Sequence, residues 1–132
     1  MRLIVGITGA TGAVFGVRLL QRLRPMPEVQ THLVLSRWAR TAIELETGLS
    51  VREVSDLADV AYSPDDQGAA ISSGSFRTDG MVIAPCSMKT LAGIRAGYAE
   101  VAASFDACLT LAAPGGAPQG LSSTGNPEFA VP

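Results

Sequence analysis

Two short stretches concentrate the residues able to do chemistry. The first is Thr8-Gly9-Ala10-Thr11-Gly12, set between the apolar, β-branched run of residues 3–7 and a helical repeat carrying Val14, Val17 and Leu20 with Phe15, Leu19 and Leu23 alongside. The second is Pro85-Cys86-Ser87-Met88-Lys89-Thr90, set in the same way between the apolar run 81–84 and a helical stretch over 91–96. A buried strand that stops where a helix starts leaves backbone N–H groups pointing at one spot. The helix dipole makes that spot attractive to an anion, usually a phosphate. Thr8, Thr11, Ser87 and Thr90 add hydroxyls, and Lys89 adds a positive charge. The first turn matches neither G-x-G-x-x-G nor G-x-x-x-x-G-K-[ST], and with no lysine behind it nothing is aimed at a nucleotide γ-phosphate. Two such turns on neighbouring parallel strands would converge on one crevice, a stronger signal than either turn alone, whose glycines could also serve only to shape a strand-to-helix connection.

The other reactive groups are sparse. Cys86 is a nucleophile only if a base activates it, and no histidine follows it; a buried structural thiol is the simpler reading. His32, the single histidine, falls inside a strand pattern and takes no role. Cys86 and Cys108 fit no disulfide framework or zinc spacing, so no metal site is expected. Glu44 and Glu46 sit at the end of a helix, where negative charge opposes the dipole, which hints at a reason elsewhere.

The elements that position these groups read as a parallel α/β domain. A helix from Ala13 is closed by Pro25. A second strand over 30–35 ends at Ser36, where α/β proteins place ligand contacts. A helix over 37–47 has Trp38, Ala42 and Leu45 on one face and Gly48 as its C-terminal cap. A short helix over 51–60 is capped by Ser50, and 62–68 is a loop. Residues 100–113 form a weak helix. Residues 114–132 hold four Gly and four Pro and keep no period, so the domain is drawn at 1–113 with a Gly/Pro-rich tail at 114–132. With 132 residues there is room for one domain. A net charge of −2 without a basic run argues against nucleic acid, and no apolar run has the length of a membrane span. The start has no signal-peptide pattern, so a cytoplasmic location is expected.

The segments GITGATGA, HLVLSRWAR, ELETG, SSGSF and above all APCSMKTLAGI closely resemble the flavin prenyltransferases, the UbiX-type flavoproteins, over about residues 2–99. The resemblance implies a three-layer flavodoxin-like or Rossmann-like parallel sheet, FMN as cofactor, no metal, and a homo-oligomer, a dodecamer in the family. It implies transfer of a dimethylallyl group from dimethylallyl phosphate to reduced FMN, the product serving a UbiD-type decarboxylase. Gly9, Ala10 and Thr11 match the first flavin turn, with Thr11 where the family usually has serine. Ser36 matches a flavin-contacting serine, and Ser87, Met88, Lys89 and Thr90 match the second flavin turn. Glu46 matches an active-site acid that handles protons, so Glu46 and Thr11 are the implied catalytic residues.

The pattern departs after residue 99. Family members continue with further strands, an arginine-bearing helix, and a tyrosine and a basic residue that grip the prenyl phosphate. Only a faint echo at Asp106-Ala107-Cys108-Leu109 survives here. On this reading the sheet is incomplete at its C-terminal end, the terminus is truncated or divergent, and the chain as written is a poor enzyme. A decayed FMN-binding fragment and a flavin-dependent cysteine decarboxylase are the alternatives.

Overall fold

Strand β1 (Arg2–Ile7) lies inside a four-stranded sheet seen in a computed structural model that describes residues 1–98. It is followed by α1 (Ala13–Leu23), β2 (Gln30–Leu35), α2 (Arg37–Thr47), α3 (Val51–Ser55), β3 (Val60–Tyr62), β4 (Gly80–Ile83) and α4 (Met88–Tyr98). The order across the sheet is β3-β2-β1-β4, and every pairing is parallel. β1 pairs Ile4 with His32 on one side and with Met81 on the other. The expected parallel α/β class is therefore the one found. The helix and tail read from residues 100–132, and the domain boundary at 113, lie outside the described residues.

Strand alternation decides what each face buries. Val5, Ile7, Leu33 and Leu35 point to the face covered by α1 and α2, where they pack with Ala13, Val17, Leu20, Ala39, Ile43 and Val54. Gly16 lets α1 sit directly on the sheet. A methyl group there would come 2.3 Å from the Ala84 carbonyl oxygen and 2.7 Å from Ile7 Cδ1.

Three sequence expectations are corrected. Residues 51–60 are not one helix: α3 stops at Ser55, and the chain turns to add β3 to the sheet. The turn is held by Asp59, whose carboxylate accepts from Thr31 N at 2.6 Å and Thr31 Oγ1 at 2.9 Å, while Thr31 Oγ1 accepts from Asp59 N. The buried face of α2 is Ala39 and Ile43, not Trp38 and Leu45, which are 69 % and 82 % exposed. The helix has the bounds expected and turns its Ala39–Ile43 face to the sheet, where both pack with Val5, Ile7, Leu33 and Leu35; Ser36 caps it, accepting from Ala39 N. The last helix begins at Met88 rather than at residue 91, because Ser87 provides its cap, so Met88, Lys89 and Thr90 form its first turn.

On the opposite face His32 is buried between Tyr62, stacked at 5.8 Å, and Phe76, edge-on at 5.2 Å. Its Nδ1 meets Tyr62 Oη at 3.0 Å, and its Nε2 has no partner among the described residues. Burial, and then the nearby Arg2 charge, push its pKa below the ordinary value against a weaker pull from Asp59. The unfolded chain therefore binds this proton more readily than the folded one. Stability is full above the unfolded histidine pKa, about 6.5, and falls as pH drops through it toward the folded value. The urea midpoint is expected to fall between pH 7 and pH 5, and His32→Phe is expected to remove that component of the fall. An unchanged pH dependence in the variant would assign it elsewhere.

Candidate functional site

The parallel pairing of β1 with β4 brings the two hydroxyl-bearing turns side by side at the carboxyl ends of adjacent strands. Thr8 N donates to the Pro85 carbonyl at 3.1 Å, Thr8 Oγ1 donates to the same oxygen at 2.8 Å, and Ser87 N donates back to Thr8 Oγ1 at 2.6 Å. Thr8 is buried, and its hydroxyl proton is used within the protein. It is not the ligand donor that the sequence suggests. Nothing in the sequence pointed to this, since its partners lie 77 and 79 residues away.

The first turn is shaped by Ala10 N donating to the Thr8 carbonyl at 2.8 Å and by Gly12, whose φ of 103° is open to glycine and costly for other residues. Gly9 lies against the Cβ and backbone of Trp38, so α2 walls the turn on one side. Thr11 is exposed and Ala10 half-buried.

The start of α1 carries an anion already, and it belongs to the protein. Glu46, from the last turn of α2, accepts from Ala13 N at 2.8 Å and from Gly12 N at 3.0 Å through Oε2, with Oε1 at 3.3 Å from Gly12 N. Its position against the dipole of its own helix is thus offset by the dipole of α1, whose orphan N–H groups it satisfies. The expected phosphate cradle at α1 is consequently not open at Gly12 and Ala13. Glu46 is nevertheless brought to the first turn.

At the second turn Ser87 Oγ accepts from Thr90 N at 3.3 Å and lies 3.0 Å from Thr90 Oγ1. One of these hydroxyls donates to the other, leaving one proton for a ligand. The N–H groups of Gly9, Thr11, Met88 and Lys89 have no acceptor among the described residues. Lys89 and Met88 are exposed beside them. Ser36 N donates to the Ile7 carbonyl at 3.0 Å, which holds that residue next to β1. Its hydroxyl spends a lone pair on the α2 cap, and its proton has no acceptor among the described residues.

Cys86 is buried, its Sγ 3.7 Å from the Ser87 carbonyl, and burial pushes the thiol pKa up. A thiol so placed stays protonated and is a poor nucleophile. Among the described residues no three His, Cys, Asp or Glu side chains come together as a metal site, and no helix is long and apolar enough to cross a membrane.

Adjacent parallel strands that end together in hydroxyl-bearing turns give the crevice at which open α/β sheets take their ligands. Residues 1–111 match the Flavoprotein family, and the chain belongs to it. It is 80 % identical over 100 residues to a probable UbiX-like flavin prenyltransferase of Streptomyces sp. (strain D7), covering 76 % of this chain and 50 % of that protein. Among solved structures, a dodecameric FMN-dependent UbiX-like decarboxylase from Escherichia coli O157:H7 aligns with a TM-score of 0.73 and 71 % identity, over 75 % of this chain and 54 % of that one. AnUbiX in complex with FMN and dimethylallyl pyrophosphate aligns with a TM-score of 0.70 and 49 % identity, over 74 % and 51 %. The chain spans about half the length of the curated relatives it matches.

Proposed function

We propose that this chain binds FMN at the 8–12 and 85–90 turns and carries the flavin-binding part of a flavin prenyltransferase. The transfer is that of a dimethylallyl group from dimethylallyl phosphate to reduced FMN, the product passing to a UbiD-type decarboxylase in the cytoplasm. The observation that supports this reading best is the set of unused donors on two adjoining turns: the N–H groups of Gly9, Thr11, Met88 and Lys89, with hydroxyls at Thr11, Ser36 and the Ser87–Thr90 pair. Such a set suits the phosphate and carbonyl oxygens of a flavin nucleotide. FMN supplies a reduced ring nucleophilic enough to take an allylic carbon.

The roles of the protein groups follow from their chemistry. Gly9, Ala10, Thr11, Ser36, Ser87, Met88, Lys89 and Thr90 hold and orient the cofactor. Loss of phosphate from an allylic donor creates cation and anion together, and the groups that would hold the leaving phosphate belong to the family segment that follows residue 99 and is not matched here. Glu46 is held at the first turn by two N–H groups and accepts the proton released there, with the exposed Thr11 hydroxyl as a donor in the same turn. Residues 1–113 form the flavoprotein unit, 114–132 lie outside it, and the unit works as a homo-oligomer, as the dodecameric relative does.

Purified 132-residue chain, mixed anaerobically with reduced FMN and dimethylallyl phosphate, is the test. Prenylated FMN detected by mass spectrometry supports the transferase. FMN binding without turnover leaves a flavin-binding module, and release of carbon dioxide from a cysteine-ended peptide would move the chain to the decarboxylases. Lys89→Ala is expected to weaken FMN binding by about tenfold, the worth of one charge-assisted contact, in a fluorescence titration. Equal affinity in the variant would remove Lys89 from the site.

A further inference from the structure

We propose that Thr8 is a positioning residue for this site, its hydroxyl setting the 85–90 turn against the 8–12 turn. The proposal rests on the assignment of FMN to these turns. The β1–β4 ladder runs through Gly6 and Ile83 and continues with Ala84 N donating to the Gly6 carbonyl at 2.9 Å. The next acceptor offered to the β4 side would be the Thr8 carbonyl. That oxygen is turned into the first turn instead, where it accepts from Ala10 N at 2.8 Å. The Thr8 hydroxyl takes its place and accepts from Ser87 N at 2.6 Å, while donating to the Pro85 carbonyl at 2.8 Å. One side chain thus lets β1 bend into its ligand turn without releasing the neighbouring strand.

The consequence reaches the site through Ser87. The residue whose N–H is fixed by Thr8 is also the cap of α4, bonded to Thr90 N and paired with Thr90 Oγ1. The start of α4 therefore takes its position from Thr8, and with it the open N–H groups of Met88 and Lys89. Gly9, with the other open donors, is the next residue along the chain. A threonine hydroxyl has one proton and room to accept, and both are used here, so the group acts through Ser87 and not on a ligand. Small errors in the placement of donors cost binding and rate steeply.

Thr8→Val keeps the shape and removes the hydroxyl, and Thr8→Ser keeps the hydroxyl. In the 132-residue chain, Thr8→Val is expected to bind FMN about tenfold more weakly, because the Met88 and Lys89 donors lose their fixed placement against the first turn. Amide exchange followed by NMR is expected to show the Ser87 N–H losing protection while the Leu33 and Leu35 amides of β2 keep theirs. Thr8→Ser is expected to restore both the affinity and the Ser87 protection. Wild-type affinity in Thr8→Val, or a Ser variant as weak as the Val variant, would overturn the proposal. If Thr8→Val does not fold, the Ser variant decides alone: it must match the wild type in both readouts. A wild-type chain with no affinity for FMN would sink the FMN assignment, and the exchange pattern would still decide whether the hydroxyl registers the turns.

Discussion

Gly16→Ala is expected to destabilise the protein by about 2 kcal/mol, a large loss for a single methyl group. The added carbon would lie 2.3 Å from the Ala84 carbonyl oxygen and within 2.8 Å of two Ile7 side-chain atoms. Ile7 is fully buried, and Ala84 is backbone bonded into the β1–β4 ladder, so neither gives way cheaply. Overpacking of this kind costs about 1–3 kcal/mol, occasionally more, and the gain in helix propensity returns at most about 1. Moving α1 off the sheet would also push the 84–90 segment, so FMN affinity is expected to fall with stability. Gly93→Ala is the control: a methyl there meets nothing within 4 Å among the described residues, and the change is expected to stabilise α4 by up to about 1 kcal/mol. Urea unfolding of both variants checks the pair. Equal midpoints would show that α1 does not sit as close to Ala84 as described.

Glu46→Gln is expected to slow prenyl transfer by about 10²–10⁴-fold while leaving FMN affinity nearly unchanged, since an amide cannot take the proton. The substitution keeps an oxygen able to accept from Gly12 and Ala13 N–H and loses the charge that faces the α1 dipole. Its structural cost is therefore small, about 0.3–1 kcal/mol. Glu46→Ala removes the cap as well and is expected to cost about 1–2 kcal/mol. The two variants separate the roles. If Gln and Ala lose FMN binding and turnover in equal measure, Glu46 is a capping residue and no more.

The strong parts of the fold were legible because they repeat. β1, α1, β2 and the strand before the second turn each carry a pattern that one period describes, and the likeness of the two strand–turn–helix units foretold their adjacency. Three features were not legible, for physical reasons. β3 has three residues, too few for any alternation to show, and it exists because Asp59 bonds to Thr31 on a neighbouring strand. Which face of α2 meets the sheet is decided by packing of Ala39 and Ile43 and not by the larger apolar side chains, and an exposed tryptophan looks in sequence like a buried one. The bonds of Glu46 to Gly12 and Ala13, and of Thr8 to Pro85 and Ser87, join residues more than thirty and more than seventy places apart. A linear pattern marks such residues as polar and near a turn. It does not tell a ligand donor from a structural bond, which is why Thr8 reads as a ligand group and the α1 terminus reads as vacant.

The central claim is that two adjoining turns form a single FMN site, and amide chemical-shift mapping during an FMN titration tests it most directly. Saturable shifts are expected at Gly9, Thr11, Met88, Lys89 and Ser36 together, with a common dissociation constant. Shifts confined to the opposite end of the sheet, around Arg2, Phe76 and Arg77, or to one turn without the other, would contradict it.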